Sequence, residues 1–308
     1  MKILIELPTW LGDTVMATPA IENIIGHFSN PEVSFIGPSS SIELLGYHPK
    51  VSNFIVIDKE YYSLFRTARK LGKFDNFFSF RGSLRSSVFK LLVNSSQKFQ
   101  FNRSKYPKIH QVEKYNNFVN DSIKVNYLPG KLLIHKQTVA NLDKPNQILG
   151  INPGASYGSS KQWYPEKFAE VIIELSGQYD TIIFGSSAEE NFVNEIESFL
   201  NKEGVVNYKN LAGKTSISEL VDLISKLDLF ITGDSGPMHI AASFQIPTVS
   251  IFGPTNENET SQWMNEKSNL VKKNLDCQPC MERICPLGHH NCMKLINEAD
   301  VLNAVSKF

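Results

Sequence analysis

Three short stretches hold residues whose types and spacing suit chemistry on an anionic ligand. ITGDSGPMHIAA, residues 231–242, leaves an apolar run through Gly233, Asp234, Ser235 and Gly236 and enters a helix. Glycines let backbone N–H groups approach a ligand, and a helix start adds unpaired donors with partial positive charge. An anion suits the N–H groups of Ser235 and Gly236, and His239, one turn in, leans back toward the same end. Pro237 fits the first turn, where its missing N–H costs nothing. The carboxylate of Asp234 repels phosphate and reads as the helix cap. A capped helix with a satisfied histidine is the plain alternative for the whole segment. Neither the dinucleotide fingerprint G-x-G-x-x-G nor the P-loop pattern is matched.

NPGASYGSSKQWYP, residues 152–165, begins just after a strand and gathers Gly154, Ser156, Gly158, Ser159, Ser160 and Lys161 in one loop. Small residues and hydroxyls permit close approach, while Lys161 supplies a compact positive charge for phosphate. Such loops are often mere connectors, but two of them at strand ends of one sheet strengthen each other. A third, GSSAEENFV at 185–193, offers Glu189, preferred here over Glu190, to accept hydrogen bonds from ribose hydroxyls. Both glutamates also suit the first turn of a helix by charge alone. Near the start, LGDTVMATPA (11–20) puts Asp13 where a dinucleotide-binding protein carries glycines, and Asp13 can equally serve as a helix cap.

The elements that position these residues read as repeated βα units. Apolar runs at 2–7, 33–37, 54–57 and 76–80 leave room for helices between them. The polar, proline-containing stretch KQTVANLDKPNQ (136–147) then separates two domains, 1–145 and 146–308. Beyond it, strands at 148–152, 180–184, 228–232 and 247–252 alternate with helices at 165–177, 188–202, 216–226 and 236–244. A short segment at 205–211 and a helix at 297–307 complete the pattern. The expected class is α/β, two doubly wound parallel sheets with ligands at the strand C-termini and a cleft between domains.

Length and composition set bounds. The 308 residues suit two domains, and 42% hydrophobic with 20% charged residues is the make-up of a globular chain. Lys plus Arg and Asp plus Glu both total 31, so overall charge gives no reason to expect a nucleic-acid partner. Locally, residues 81–110 carry seven Lys or Arg and no acid, with Phe89, Phe99, Phe101 and Tyr106 among them. Neither a signal peptide nor a run of roughly 18 apolar residues is evident, which places the chain in the cytoplasm.

Together, PTWLGDTVMATPAIENI, NPGASYGSSKQWYP, GDSGPMHIAASFQIPTVSIFGPT and CQPCMERICPLGHHNCM resemble the ADP-heptose:lipopolysaccharide heptosyltransferases of glycosyltransferase family 9. The likeness covers nearly the whole chain but is poor from about 60 to 130. Its cysteine-rich tail points to the branch that extends the first heptose. The resemblance implies a GT-B fold, acceptor on the first domain and nucleotide sugar on the second. It also implies inverting transfer of heptose from ADP-L-glycero-β-D-manno-heptose to the first heptose of the inner core on Kdo-lipid A.

By the same resemblance Asp13 is the catalytic base. A carboxylate must take the acceptor hydroxyl's proton as that oxygen attacks opposite the leaving ADP, and a helix N-terminus keeps it ionised at neutral pH. Lys161, His239 and the N–H groups of Ser235 and Gly236 stabilise the leaving diphosphate. Ser156, Ser160, Asp234 and Glu189 fall in the donor site, Glu189 at the ribose, and LAGKTS (211–216) beside the adenine. With no Asp-x-Asp pair, a reaction without metal or cofactor is expected. The acceptor is an anionic membrane glycolipid, so the basic 81–110 stretch suits docking at the inner leaflet of the inner membrane. Its plain alternative is a solvated basic surface. The alternatives are transfer of the first core heptose or another transfer of the same family, nucleotide-sugar epimerisation, which acceptor dependence separates, and a non-catalytic nucleotide-sugar or metal-binding protein, for which Asp13→Ala would change no activity.

The four cysteines, Cys277, Cys280, Cys285 and Cys292, form C-x2-C-x4-C-x6-C around His289 and His290. Three readings stand: a structural metal, reduced thiols packed in a loop-rich lobe, and redox pairing. None makes the cluster catalytic.

Overall fold

The computed structural model of the chain describes residues 1–57, 60–136, 146–154 and 157–308. Two compact units divide it, Met1–Gln137 and Thr138–Phe308. Residue 145, after which the boundary was expected, belongs to the stretch 137–145 outside the described residues.

The first unit is a five-stranded sheet: β1 (Lys2–Glu6), β2 (Glu32–Gly37), β3 (Val51–Val56), β4 (Phe74–Ser79) and β5 (Ser95–Gln100). The order is β3-β2-β1-β4-β5, every pair parallel. The second unit adds β6 (Gln147–Asn152), β7 (Tyr179–Ile183), β8 (Tyr208–Asn210), β9 (Leu229–Gly233), β10 (Thr248–Ile251) and β11 (Ser268–Val271). Its order is β11-β10-β9-β6-β7-β8, again all parallel. Parallel pairing requires crossovers, and the helices that supply them cover the central strands, which are buried beyond their first one or two residues. Ile3, Leu4 and Ile5 of β1 and Phe230 and Ile231 of β9 have no exposed surface.

Two strands escaped the pattern of apolar runs. β5 reads SSQKFQ and β11 reads SNLV, and both are sheet edges with half-exposed faces. An edge strand need not be apolar on both sides, so its signal resembles that of a loop.

In each sheet the first strand of the unit lies inside, β1 between β2 and β4 and β6 between β7 and β9. Strand order therefore reverses beside β1/β4 and beside β6/β9. The loops leaving such a pair diverge to opposite faces and open a crevice at the strand C-termini, where ligands of these folds bind. Asp13 follows β1, the 153–161 loop follows β6, and Asp234 to Gly236 follow β9.

The helix Leu11–His27 carries Asp13 in its first turn and Pro19 in its interior. Proline deprives the carbonyl four residues earlier of its N–H partner. Here the Thr18 hydroxyl donates to that carbonyl, Val15 O, at 2.7 Å, so the 17-residue helix runs through.

Candidate active site

In the second unit the exits of β6 and β9 are tied together through one cation. Lys161, in the short turn Ser159–Lys161, places Nζ 2.5 Å from Asp234 Oδ2 and 3.3 Å from Asp234 O. The pair is largely buried, with 12% and 6% of the side chains exposed. Thr255, just after β10, donates its hydroxyl to the same carboxylate oxygen at 2.7 Å, and the Tyr157 ring lies 4.7 Å from the ammonium. An ammonium has three donors. Two meet Asp234.

The expected cap role of Asp234 is corrected by this arrangement. Ser235, in extended conformation, is the residue that precedes the helix Gly236–Ser243, and no side chain caps it. Its hydroxyl instead pairs with Thr232 Oγ1 at 3.1 Å and accepts from Asn152 Nδ2 at 3.2 Å. The Asp234 carboxylate turns to Lys161 because a buried carboxylate gains more from a cation than from a backbone N–H. The first N–H groups of the helix, from Gly236 on, are left without a side-chain cap. Pro237 takes the first turn as expected, and His239 is buried one turn in.

Ser160 is also corrected. Its hydroxyl donates to Glu282 O at 2.5 Å and its N–H to Arg283 O at 3.1 Å, so it anchors the loop instead of facing a ligand. Ser156 lies outside the described residues. Glu189 accepts from Ser186 N at 2.7 Å and Ser186 Oγ at 2.9 Å, and its carboxylate packs over Gly154 at the β6 exit. A Cβ on Gly154 would fall 2.0 Å from the Glu189 carboxyl carbon, so a larger residue there would displace the Glu189 carboxylate. Gly213, with φ +68, sends its N–H to Gly185 O at 2.9 Å and brings the 211–216 segment beside the same loop.

The cysteine-rich segment forms the outer wall of the 157–161 loop. Tyr157 Oη donates to Met281 O, and His290 Nε2 donates to Ser160 O at 2.9 Å while its Nδ1 accepts from Tyr164 Oη at 3.1 Å. All four thiols are free. Burial, with the neighbouring thiols, pushes the Cys292 thiol up to about 11.

In the first unit Tyr115, from the helix Gln111–Ile123, donates to Asp13 Oδ1 at 3.1 Å. Burial, then the charge of Asp13 and this hydrogen bond, hold the Tyr115 phenol well above its ordinary value, so it stays a donor. A second acid stands at the crevice. Glu6, the fully buried last residue of β1, accepts from Ser79 Oγ at 2.6 Å and from the Ser86 hydroxyl, with Arg81 Nη1 3.5 Å away. Burial raises its pKa against those hydrogen bonds and the charges of Arg81 and Arg85.

Tyr115, Thr255 and Glu6 were not singled out in the sequence. Thr255 had a signal, the Gly-Pro-Thr run at the end of an apolar strand. Tyr115 had none, because its partner lies 102 positions away.

Among the described residues, Glu22, His48 and His135 bring their ligand atoms within 4.8 Å of one another. The Lys50 N–H donates to His48 Nδ1 at 3.2 Å, so Nε2 carries the ring proton and donates to Glu22 Oε1 at 2.6 Å. That tautomer has no free lone pair to offer a metal; Glu22 and His48 form a hydrogen-bonded tie, with the His135 ring edge-on to His48 at 4.8 Å.

The family model described as glycosyltransferase family 9 (heptosyltransferase) matches residues 65–291. Lipooligosaccharide heptosyltransferase 2 of Campylobacter jejuni is 41% identical over 98% of this chain and 96% of its own length. Lipopolysaccharide heptosyltransferase 2 of Escherichia coli is 25% identical over 88% of each chain. The solved structure of E. coli ADP-heptose LPS heptosyltransferase II superposes with a TM-score of 0.81 at 23% identity, covering 100% of this chain and 98% of that one. The family model over residues 65–291 and a 41% match over 98% of the chain, on a fold of two parallel-sheet units, converge on one assignment: the chain belongs to glycosyltransferase family 9, the heptosyltransferases.

Proposed function

We propose that the chain transfers L-glycero-D-manno-heptose from ADP-heptose to the first heptose of a lipopolysaccharide inner core, with inversion. The observation that carries this reading is the Lys161–Asp234 pair, which sets a cation beside the uncapped N-terminus of the helix Gly236–Ser243. A sugar diphosphate presents the charge that such a pairing accepts. The relatives named above as heptosyltransferases, over nearly the full length, support the choice of sugar.

The chemistry balances as a single displacement. Asp13 takes the proton of the acceptor hydroxyl, whose oxygen bonds to the anomeric carbon as the bond from that carbon to the ADP oxygen breaks. Tyr115 holds the Asp13 carboxylate in one rotamer. Lys161, the N–H groups at Ser235 and Gly236, and His239 take up charge on the departing diphosphate, while Glu189 meets the ribose. No bound metal is assigned a step.

Peripheral membrane contact is part of the same proposal. Residues 61–110 carry eleven Lys or Arg and one Asp, and Tyr62, Phe65, Leu84 and Leu91 there expose 77%, 46%, 78% and 76% of their surface. Aromatic and aliphatic side chains set among cations suit an anionic lipid surface. Among the described residues no helix is long and apolar enough to cross a membrane.

The test is an assay of ADP-heptose with core acceptors carrying no heptose or one, read by product mass. Addition of a single heptose to the one-heptose acceptor is expected. Transfer to the heptose-free acceptor assigns the chain to the preceding step, and acceptor-independent consumption of ADP-heptose overturns the transferase reading.

A further inference from the structure

Trp163 shows how an indole is satisfied inside this fold. It is buried, meets Phe168 edge-on at 4.9 Å and donates its N–H to Ile296 O at 3.1 Å. Trp10 is the opposite case. It leaves 55% of its surface exposed, and among the described residues its indole N–H has no acceptor and its ring no aromatic or cationic neighbour. A single exposed aromatic is ordinary, so its place in the fold must say what it does.

Trp10 immediately precedes the helix Leu11–His27, in extended conformation and with no side-chain cap, and Asp13 follows three positions on, in the first turn. Side chains at those two positions share one side of a helix start, the geometry that lets a capping box close. The backbone that carries Trp10 is pinned. The Thr14 N–H donates to Trp10 O at 2.9 Å, and the Thr14 hydroxyl, 3.0 Å from the same carbonyl, lies 2.9 Å from Ser41 Oγ. The Ser41 hydroxyl donates to Pro8 O at 2.8 Å, and the Leu7 N–H donates to Ile36 O at 2.8 Å. Thr14 and Ser41 have no exposed surface. The turn is therefore locked from within while its largest side chain stays open, and a ligand that covers the ring need order no loop.

We propose that Trp10 is the stacking platform for the sugar ring that carries the attacking hydroxyl, and that it selects a neutral ring over an acidic one; this rests on the transferase reading above. A hydroxyl whose proton Asp13 takes lies about 3 Å from that carboxylate, so its ring passes the same helix start. A pyranose offers a face of C–H groups and a rim of hydroxyls. The face suits the negative π surface of the indole, and the rim can accept from the unpartnered indole N–H. An acidic sugar in that place sets its carboxylate against the π surface and against Asp13, where like charges repel. A neutral ring meets no such repulsion. Trp10 thus acts on the choice and binding of the acceptor, and takes no part in proton transfer or donor binding.

The experiment compares full-length wild type, W10A and W10F with ADP-heptose and two lipid-free core oligosaccharides, one ending in a heptose and one in an acidic sugar. W10A is expected to raise KM for the heptose-ended glycan about tenfold or more, with a smaller fall in kcat, and to narrow the kcat/KM preference for it over the acid-ended glycan. W10F keeps an aromatic face and is expected to recover most of both. ADP affinity by calorimetry and the thermal midpoint are expected to match wild type in both variants. As a readout without turnover, the heptose-ended glycan is expected to shield tryptophan emission from acrylamide quenching in wild type and not in W10F. A wild-type KM in W10A overturns the proposal, as does a loss of ADP affinity in step with KM. So does an unchanged KM for the lipid-free glycan with weakened binding to anionic vesicles, which makes the ring a membrane contact. A wild-type enzyme that transfers heptose to neither glycan fails the transferase reading itself, and the quenching titration then decides on Trp10 alone.

Discussion

At the scale of single residues, Asp13 and Lys161 divide the labour, and the division is measurable. Replacing Asp13 with Asn removes the proton acceptor but no donor contact, so kcat is expected to fall by about 10²–10⁴ while calorimetry finds ADP binding unchanged. Lys161→Ala acts on both. It takes away a charge-assisted hydrogen bond to phosphate, weakening ADP by roughly 10–100-fold, and strips Asp234 of its cation. Because Asp234 is 6% exposed, thermal unfolding of that variant is expected well below wild type, whereas Lys161→Ala combined with Asp234→Ala recovers part of the loss but not ADP affinity. The Glu22–His48 tie gives a pH signature. Although burial works against ionisation, the His48 hydrogen bond first, with Lys50 nearby, holds Glu22 below its ordinary 4.5. A depressed carboxylate stabilises the fold above the unfolded value and loses that contribution as pH falls through the folded one. Glu22→Gln is therefore expected to lower stability by about 1 kcal/mol at pH 7 and by far less at pH 3, read from urea midpoints.

At the scale of elements, the proposed donor site depends on how closely two pieces of backbone approach. A Cβ built on Gly158 falls 2.3 Å from Arg283 O and 2.9 Å from Arg283 Cβ. The clash is with main chain, which cannot swing aside as a flexible side chain does. Gly158→Ala is expected to cost about 1–3 kcal/mol of stability and to raise the donor KM, since the turn that carries Lys161 must shift. Gly177→Ala, where the added Cβ meets nothing within 4 Å, is the control and should leave KM unchanged. The βα order of both units was readable from apolar runs, as were the exits of β6, β7 and β9. What escaped were the edge strands β5 and β11 and the cap of the helix Gly236–Ser243. Edge strands carry half the apolar signal, and which neighbour a helix cap takes depends on the charge that folding brings to it.

At the scale of the whole molecule, the equal totals of 31 basic and 31 acidic residues conceal a sharp local imbalance at 61–110. Each Lys or Arg near an anionic surface contributes about 1 kcal/mol, screened within a Debye length of about 10 Å at 0.1 M salt. The full chain is expected to sediment with vesicles containing anionic lipid at low salt, to be released by about 0.5 M salt, and to ignore neutral vesicles. Tyr62→Ala with Phe65→Ala should weaken that binding at every salt concentration, because the apolar part is not screened. Equal binding to neutral vesicles removes the electrostatic part of the proposal.

Sequence alone determined the α/β class, the three loops at the exits of β6, β7 and β9, the family resemblance and the position of Asp13 at a helix start, because each rests on local periodicity or a contiguous motif. Tertiary structure decided what the polar groups do with one another. Asp234 leaves the cap for a lysine 73 positions earlier, Ser160 spends its hydroxyl on Glu282, and Tyr115 finds Asp13. A buried polar group must be satisfied by whatever the fold places next to it, and that neighbour is set by chain topology, which no local pattern of residue types records.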